Sequence, residues 1–426
     1  MSEHYLYWTV GADCGEQQHR FVVFDERGKR VKGLWVRNRS EALQDALRKL
    51  LIGLPEGMKL AIVCEGLRSM AGILVQVATQ LGIEIWQVNP QALDHYRDLE
   101  GQPRKDDDRD AELLGMMRLK QMEGCRLAVD TKPEERVLCR LTRIHTQLVE
   151  KLSDARKRFR SRLLELSPEI LDKEWQGPGY KSKTMRAILC RWPGFQGIER
   201  ARLSTIERVV RAAGRHGSRA AEIAQKTKRM AAGILMGKEE REVVALDLEI
   251  LIDEMCSIDK RLGEVDLRIE QAVRKHPIGI KLLAMPGVGP FTAGVLLGEL
   301  LPLARNVDEG KVATYAGLTP LSRISCRTSK RSKLARGINK HAVRALYLSA
   351  VASRKCSAID DAYYKKQLAK HVGHPKAHVK ANIAHARRRI VVMYKLMTTD
   401  ARYDKEKLIS SHLKRSRKEA HHEQSA

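Results

Sequence analysis

YLYWTVGADCG, residues 5–15, is an apolar stretch that ends on Asp13 and a glycine. A short apolar run bounded by turn residues predicts a buried β-strand. The following stretch, HRFVVFDERGKRVKGLWVRN at 19–38, predicts two more strands joined by a turn at DERGK. The chain therefore begins with three successive strands, and the first of them ends on a carboxylate.

Helical and apolar segments alternate after this hairpin. They are SEALQDALRKLL at 40–51, KLAIVCEG at 59–66, SMAGILVQVATQLG at 69–82 and IEIWQVNP at 83–90. Ser40 is a candidate N-cap of the first helix, Glu65 ends the second predicted strand, and another helix is expected to begin near Asp107. Three strands followed by helix–strand alternation predict an α/β domain over 1–128, with a mixed sheet covered by helices.

The middle of the chain, 129–276, contains two long stretches with helical spacing. The first ends at Pro168, and Pro277 stops the second. In the second stretch the apolar residues alternate strictly at spacings of four and three, which is typical of a coiled-coil seam. We expect a helical hairpin, or an oligomer contact made by one, with a basic helical insertion of unassigned role at about 170–238. The apolar positions are Leu141, Ile144, Leu148, Leu152, Ala155, Phe159, Leu163 and Leu166, then Val244, Leu248, Leu251, Met255, Ile258, Leu262, Val265 and Ile269.

A third, mainly helical domain is expected over 277–400. It opens with LLAMPGVGPFTAGVLLGEL at 282–300, in which PGVGP resembles a helix–hairpin–helix turn whose backbone N–H groups can hold a phosphate. The polar, basic residues 401–426 are interpreted as a tail.

The formal net charge of +26 is unevenly distributed along the 426 residues. Residues 1–130 carry 18 Lys and Arg against 20 Asp and Glu, whereas residues 321–426 carry 26 against seven, a net of +19. Such a charge indicates a polyanionic partner, with DNA or structured RNA as the candidates. The histidines of HVGHPKAHVKANIAHARRR at 371–389 are assigned to a basic helix face, because their spacing does not suit zinc.

No apolar run approaches the length needed to span a membrane, and the N-terminus lacks the pattern of a secretory signal. The eight cysteines form no CxxC pair. We therefore expect a protein of the reducing cytoplasm.

Four acids are candidate metal ligands. Asp13 and Glu65 each end an apolar strand, where a charge is costly without a partner. Asp107 and Asp110 in RKDDDRDAELL lie three residues apart and share one helix face. Mg²⁺ or Mn²⁺ would relieve the repulsion among four converging carboxylates, and two such ions support phosphodiester chemistry. Alternatively, the DDDRD run only favours a helix N-terminus through the helix dipole.

A basic, serine-rich segment, SRISCRTSKRSK, occupies 322–333. From the residues alone, Ser322, Ser325, Ser329 and Ser332 are equal candidates for a nucleophile, and a solvated loop is the plainer alternative. The basic residues nearby are predicted to contact phosphates, which supplies affinity without sequence information. The predicted nucleic-acid-binding residues are Arg104, Lys105, Arg323, Arg327, Lys330, Arg331, Lys333, Arg336, Lys340 and Arg344.

Several motifs together resemble the insertion-sequence one-ten family of transposases and recombinases, including its eleven-eleven branch and pilin-gene invertases. VGADCGEQQHRFVVFD, VCEGLRSM and VNPQALDHYRDLEGQPRKDDDRDAELL resemble the RuvC-like domain of that family. MPGVGPFTAGVLLGEL, VATYAGLTPLSRISCRTSKR and RGINKHAVRALYLSA resemble its C-terminal transposase domain. The motifs occur in the family's order in two separate parts of the chain.

The resemblance implies a ribonuclease-H-like (RuvC-like) first domain whose four acids, matched onto Asp13, Glu65, Asp107 and Asp110, bind Mg²⁺ or Mn²⁺. It also implies that Ser325 is the nucleophile, forming a covalent serine–DNA intermediate. A structured noncoding (bridge) RNA would pair with target and donor DNA, and dimers would assemble into a tetramer. The resemblance also implies a bacterial cytoplasmic protein that associates with the nucleoid when it acts.

Two departures from the family pattern are visible. Cys326 replaces the usual glycine after the serine, and KDDDRDA replaces KTDRxDA, so that Asp106 and Asp108 are further candidates for metal contact. Three alternatives to a guided recombinase are a metal-dependent nuclease such as a junction resolvase, a DNA invertase, and a non-enzymatic nucleic-acid scaffold.

Overall fold

The computed structural model describes residues 7–67, 69–100, 106–128, 131–171, 178–214, 217–319 and 338–404, together with the backbone of 324–325 and 328–329. The chain divides into two compact units, residues 1–130 and 131–426. The further division of the second unit near residue 276 stays a prediction.

The first unit contains a six-stranded mixed sheet in the order β3-β2-β1-β4-β5-β6. Its first three strands form an antiparallel meander, β4 and β5 are parallel to β1, and β6 is antiparallel to β5. The strands are β1 (Tyr7–Cys14), β2 (Gln18–Phe24), β3 (Arg30–Arg37), β4 (Lys59–Cys64), β5 (Glu84–Val88) and β6 (Cys125–Leu127). The predicted α/β arrangement is confirmed, except that the short edge strand β6 was not predicted.

Helices cover both faces of this sheet. They are α1 (Ser40–Ile52), α2 (Gly72–Gln80), preceded by a 3₁₀ turn at Ser69–Ala71, α3 (Pro90–Leu99) and α4 (Asp107–Leu119). Leu43, Leu47 and Leu74 pack on one face, and Leu113 and Leu114 on the other.

Two details of these helices differ from the prediction. Arg39, and not Ser40, is the N-cap of α1, and no side chain caps that helix. The helix α3 was missed because only Leu93 and Tyr96 of its ten residues are buried, although Asn89 caps it by accepting a hydrogen bond from the Gln91 N–H.

Two long helices, α5 (Pro133–Leu166) and α9 (Lys238–Lys275), lie antiparallel in the second unit. Ion pairs from Arg162 to Asp247 and from Arg158 to Glu254 show this direction, because the residue number rises along α5 while that of the partner falls along α9. The predicted helical hairpin is therefore present. Ile144, expected on its apolar face, is instead 44% exposed.

In its described residues, the insertion between these helices adds three shorter helices and two 3₁₀ turns. The helices are α6 (Lys183–Arg191), α7 (Leu203–Ala212) and α8 (Ser218–Ala232), and the 3₁₀ turns lie at Pro168–Leu171 and Pro193–Phe195. Phe195, Ile206 and Ile223 share one core with Phe159 of α5 and Leu248 of α9. The insertion is thus a folded cap on the hairpin.

The remainder of the described second unit is mostly helical. Its helices are α10 (Pro277–Leu283), α11 (Pro290–Val295), α12 (Leu301–Ala304), α13 (Glu309–Tyr315), α14 (Lys340–Cys356), α15 (Ala358–Ala369) and α16 (Ala377–Thr398), with a π-helical turn at Leu296–Leu300 and a two-stranded ribbon of β7 (Ile324–Ser325) and β8 (Thr328–Ser329). Their common core includes Leu297, Leu346 and Ile390.

The PGVGP turn is held against α14. Gly287 has a φ of +74°, and a Cβ there would lie 2.4 Å from the Ser353 nitrogen, so glycine is required for both conformation and close approach. Arg389 of α16 donates a hydrogen bond of 2.6 Å to the Pro286 carbonyl. The first half of this turn therefore packs into the protein, and Gly289, where an added Cβ would meet nothing within 4 Å, marks its open half.

Within the described residues, every helix is too short or too polar to cross a membrane.

Candidate active site

Asp13 and Glu65 lie side by side at one edge of the N-terminal sheet. Strands β1 and β4 are parallel neighbours, with Ala12 opposite Cys64, so the two acids occupy the next position of each chain. Asp13 is half-buried and Glu65 is exposed. The sheet therefore brings these two predicted ligands to the same edge.

Helix α4 packs directly on β1 and points its N-terminus toward this edge. Gly11 makes the close approach possible, because an added Cβ would lie only 1.8 Å from the Ala111 carbonyl oxygen. At the other end of the contact, Arg118 donates to Thr9 Oγ1 at 2.8 Å. The helix is thus antiparallel to β1, and its first turn lies at the end that carries Asp13.

The β2 strand links that first turn to the sheet. Arg20 is directly opposite Asp13 in the antiparallel register, so their side chains share a sheet face. Arg20 Nε donates to Asp108 Oδ1 at 2.7 Å, and both Nη atoms of Arg30 reach the same carboxylate at 2.9 Å. The hydrogen bonds from Arg30, and then those from Arg20, hold the pKa of Asp108 below its ordinary value.

The acidic run at the start of α4 therefore has divided roles. Asp106 is the N-cap and accepts a hydrogen bond from the Asp108 N–H at 3.2 Å. Asp108 joins α4 to β2 and β3 through two arginines. Asp107 is exposed at the first helical position. Of the two additional metal-ligand candidates, Asp106 is engaged as a cap and Asp108 as an ion-pair partner.

Asp110 is buried, with 3% of its surface exposed. Arg97 of α3 donates to it through Nε at 3.1 Å and Nη2 at 2.8 Å, and both bonds reach the same oxygen, Oδ1. Arg97 also bonds Asp94 at 2.7 Å. The two hydrogen bonds from Arg97 hold the Asp110 carboxylate in a fixed orientation. Sequence reasoning missed Arg97, Arg20 and Arg30, because their partners are distant in the chain or on another element.

The neighbouring thiols remain protonated. Burial raises the pKa of the Cys14 thiol, and Cys64, Asp13 and Glu65 raise it further. Burial likewise raises the pKa of Cys64 to about 12. Because metals bind the thiolate, these cysteines are poor ligands and the carboxylates are the donors of this edge. The charges of Asp13 and Glu65 both act on the Cys14 thiol, which is consistent with their neighbouring positions.

A hard divalent cation suits this donor set, because Mg²⁺ and Mn²⁺ prefer carboxylate oxygens. The side chains are not gathered into a finished site. Among the described residues, no group of three or more His, Cys, Asp or Glu is arranged to hold a metal ion. The fold thus sets Asp13 beside Glu65 and brings the first turn of α4 to the same end of β1, while Arg97 engages one oxygen of Asp110.

Ser325 belongs to the second unit. Its backbone lies in β7, where it is opposite Thr328 of β8. The side chains of this ribbon lie outside the described residues, as do Cys326 and most of the predicted nucleic-acid contacts: Arg104, Lys105, Arg323, Arg327, Lys330, Arg331, Lys333 and Arg336. Of the remaining two, Lys340 is exposed, and Arg344 forms a surface ion pair of 3.3 Å with Glu150.

Asn339 brings together the two ends of the chain segment that contains Ser325. Its N–H donates to the Tyr315 carbonyl at 2.8 Å, and its Nδ2 donates to the Tyr315 hydroxyl at 3.3 Å. The Asn339 side-chain oxygen caps α14 by accepting hydrogen bonds from the N–H groups of His341 and Ala342. The start and end of the serine segment are therefore fixed to each other.

A buried carboxylate, Glu299, anchors this closure. It lies in the π-helical turn and accepts hydrogen bonds from Arg143 Nε at 2.6 Å, Asn339 Nδ2 at 3.0 Å and Cys139 Sγ at 3.0 Å. Sequence reasoning missed this network. The available signal was a single acid inside the apolar run GVLLGELL, since a buried charge requires partners.

His385 corrects one expectation. The histidines of 371–389 were assigned to a basic helix face, but His385 is fully buried and forms a 2.9 Å hydrogen bond with Ser353 Oγ. Burial lowers its pKa to about 4. His378 likewise turns to a protein partner, the Tyr364 hydroxyl, at 2.5 Å.

Comparison with known proteins identifies the family. Residues 10–168 match a transposase family model named for its DEDD motif and for IS110, and residues 280–365 match the model of the transposase IS116/IS110/IS902 family.

Two relatives match over almost the whole chain. The 43.6 kDa protein of insertion element IS110 from Streptomyces coelicolor is 24% identical over 407 residues, which cover 93% of this chain and 95% of the relative. The 42 kDa protein of insertion element IS900 from Mycobacterium paratuberculosis is 24% identical over 405 residues, covering 92% and 96%. The family predicted from the motifs is confirmed, and the chain belongs to the IS110/IS116/IS902 family of transposases.

Proposed function

We propose that this transposase is a DNA recombinase that cuts and rejoins DNA through a covalent intermediate on Ser325, with the help of Mg²⁺ or Mn²⁺ held by Asp13, Glu65, Asp107 and Asp110. The observation that carries the proposal is the parallel pairing of β1 and β4, which sets Asp13 beside Glu65 under the first turn of α4. The strand order of the sheet, with an antiparallel meander followed by parallel strands, supports a ribonuclease-H-like fold.

When bound, the cation supplies charge neutralisation at the scissile phosphate and lowers the energy of an attacking or leaving oxygenate. Each protein group then has a defined task. Asp13 and Glu65 present oxygens from a rigid sheet edge. Asp110 is oriented by Arg97, whose two bonds occupy Oδ1, so Oδ2 is the oxygen that would be available to hold the cation.

Ser325 attacks the phosphorus through its hydroxyl oxygen. The new bond joins Oγ to phosphorus, the phosphorus–oxygen bond to the leaving sugar breaks, and the serine proton leaves with that sugar oxygen. A phosphodiester is exchanged for another phosphodiester, so the bond energy is retained and a second DNA end can reverse the step. Water as nucleophile would lose this bond, which is the chemical reason for a serine beside the metal ligands.

Base pairing to a structured noncoding RNA is the proposed source of target and donor selection. The net charge of +19 over residues 321–426 supports a large polyanion there.

The acids and Ser325 belong to different compact units, so we propose that the reaction centre is composite and assembles in a homo-oligomer, a dimer that forms a tetramer. The four–three seam of α9 packs within the hairpin, where Leu248 and Leu251 share a core with Phe159 of α5, so it does not itself support the assembly. The cytoplasm is the proposed location.

The decisive experiment traps the intermediate. Labelled DNA carrying the element end and target is incubated with wild-type protein, Ser325→Ala and Ser329→Ala, and covalent protein–DNA adducts are resolved under denaturing conditions. Adducts with wild type and Ser329→Ala, and none with Ser325→Ala, support the proposal. Cleavage without any adduct would replace it with a hydrolytic nuclease, for which water is the nucleophile.

The metal ligands are tested separately. Asp13→Asn and Asp110→Asn are expected to abolish Mg²⁺-dependent cleavage while DNA binding persists. Normal cleavage by both variants would refute the metal assignment.

Sequencing the nucleic acid that co-purifies with the protein tests the guide: an RNA encoded beside the gene supports it, and an RNA-free complex that recombines DNA argues for an invertase.

A further inference from the structure

The insertion that caps the helical hairpin carries a high positive charge. Residues 178–237 contain 13 Lys and Arg and three Asp and Glu, a net charge of +10. The hairpin helices α5 and α9 together contain 16 Lys and Arg and 16 Asp and Glu, a net charge of zero. The charge is therefore a property of the cap and not of the hairpin that supports it.

Ion pairing accentuates this difference. On the hairpin, arginines meet acids across the helices, as Arg158 does with Glu254 at 2.6 Å. On the insertion, two of the three acids, Glu207 and Glu222, are paired within their own helices. Seven exposed basic residues have no ion-pair partner among the described residues: Lys181, Lys183, Arg191, Arg200, Arg202, Arg208 and Arg229. Their charge is left to the solvent or to a ligand.

The surface that carries these residues is held in shape. Arg241 of α9 donates hydrogen bonds to the carbonyls of Gly194 and Phe195, at 2.8 and 2.7 Å. Lys228 of α8 donates to the Ala201 carbonyl at 2.7 Å, which fixes the loop between Arg200 and Arg202. Arg208 follows on α7, whose Ile206 and Val210 are fully buried. The basic groups thus stand on a packed scaffold, which reduces the entropy lost on binding.

The aromatic residues of the insertion identify the form of nucleic acid. Recognition of single strands relies on exposed aromatic rings that stack on bases. In the described part of the insertion, Phe195 is fully buried, Trp192 is 8% exposed and Tyr180 is half-buried. A surface of arginine and lysine without exposed rings suits the phosphates of a duplex.

We propose that the exposed basic surface of the 178–237 insertion binds the phosphate backbone of duplex DNA, outside the segments that carry the chemistry. The choice of DNA over RNA rests on the proposed function, in which DNA is the substrate, whereas the phosphate contact itself rests on the charge and geometry of the insertion. The insertion adds affinity without sequence preference, since contacts to phosphates carry no base information.

The test compares two variants with the same loss of charge. The first is Arg200→Ala/Arg202→Ala/Arg208→Ala on the insertion, and the matched control is Arg261→Ala/Arg268→Ala/Arg274→Ala on the exposed side of α9. Equilibrium binding to a random-sequence DNA duplex is measured by fluorescence anisotropy across a range of KCl concentrations without Mg²⁺. Circular dichroism and thermal melting establish that both variants are folded.

The insertion variant is expected to bind at least about tenfold more weakly, and the slope of log Kd against log salt is expected to fall by roughly 2.7, at about 0.9 per lost phosphate contact. The control is expected to keep the slope of wild type. A second variant, Lys183→Gln/Arg229→Gln, is expected to reduce the slope by about 1.8 on the same basis.

Unchanged affinity and slope in the insertion variant would overturn the proposal, and so would an equal loss in the control. A variant that keeps its DNA affinity but loses binding to an RNA duplex would also overturn it, in favour of an RNA contact. Because the assay measures binding without cleavage, it gives its answer whether or not Ser325 forms an adduct. The two proposals therefore fail independently.

Discussion

Replacement of Glu299 by alanine tests whether the buried network closes the serine segment. Glu299 has 3% of its side chain exposed and accepts hydrogen bonds from Arg143, Asn339 and Cys139. The substitution removes the acceptor of one Asn339 amide hydrogen in the interior, while the Tyr315 hydroxyl remains as the second acceptor. It also removes the carboxylate that joins Arg143 of α5 to Asn339, the N-cap of α14.

The magnitude follows from the number and kind of contacts. Loss of one partner of a fully buried ion pair costs about 3–5 kcal/mol. The Arg143 side chain is 44% exposed, so water recovers part of its solvation and the ion-pair share is reduced. An unsatisfied buried donor costs about 1–3 kcal/mol, and Asn339 supplies one. We therefore expect Glu299→Ala to destabilise the second unit by about 3 kcal/mol, and Glu299→Gln by about half as much.

Chemical unfolding with urea, followed by circular dichroism, measures this difference. Limited proteolysis of the native protein provides a second readout, because weakening Asn339 is expected to accelerate cleavage between residues 316 and 338. Glu270→Gln is the matched control. Glu270 pairs with Arg274 one turn away on the exposed surface of α9, and loss of such a pair costs only about 0.3–0.5 kcal/mol.

A double-mutant cycle separates the ion pair from general damage. If Glu299 and Arg143 interact as the 2.6 Å contact indicates, Arg143→Ala costs less in the Glu299→Ala background than in wild type, by about 1–2 kcal/mol. Additive effects would show that the two groups do not interact. A Glu299→Ala protein as stable as Glu270→Gln would refute the assignment of a buried anchor.

Three further results are expected. Asp108→Ala should destabilise the first unit by about 1–2 kcal/mol in urea unfolding, since Arg20 and Arg30 both lose a partly exposed partner. The variant should nevertheless retain Mg²⁺-dependent cleavage. Loss of cleavage at full stability would instead make Asp108 a ligand. Gly11→Ala should lower the free energy of unfolding by about 2–3 kcal/mol, because the added Cβ would meet the Ala111 carbonyl. Gly66→Ala is the control and should be neutral, since a Cβ there would meet nothing within 4 Å. Equal stabilities of the two variants would contradict the close packing of α4 on β1. His385 has a pKa of about 4 in the folded state, against an ordinary value of 6.5. Between these values the unfolded state binds more protons, so stability falls as the pH drops from 6.5 to 4, by up to about 1.4 kcal/mol per pH unit. The Tm of His385→Gln should therefore fall less over this range than that of wild type, and parallel curves of Tm against pH would exclude this histidine as the cause.

The elements that could be predicted from sequence are those with strong periodicity. The β1 and β4 strands are continuous apolar runs, and α9 repeats its apolar residues over its length, so their type follows from local pattern. The β6 strand has three residues, with Arg126 and Leu127 exposed, and such a segment has no periodicity to detect. Its place is set by pairing with β5, which is a tertiary contact.

The site was predictable to a similar degree. Strand ends and the spacing of Asp107 and Asp110 indicated four acids, and the β1–β4 register places the first two side by side. The partners of those acids were not predictable, because Arg97 comes from a short helix with only two buried residues, and Arg20 and Arg30 come from a hairpin. Ion pairs depend on where elements meet, and one sequence without its fold contains no signal for that.

These arginines also distinguish the four acids at the start of α4. Asp108 accepts hydrogen bonds from two arginines, Arg20 and Arg30 on Oδ1 and Arg30 on Oδ2, so both of its oxygens are engaged by positive charge. Asp110 receives both bonds of Arg97 on Oδ1, which neutralises part of its charge and leaves the other oxygen in a fixed direction. The positive charge of Arg97 also lowers the repulsion between Asp110 and the neighbouring acids before any cation binds. In the proposed mechanism the same kind of pair therefore has opposite consequences at the two positions: it gives Asp108 a structural role and leaves one oxygen of Asp110 for a cation.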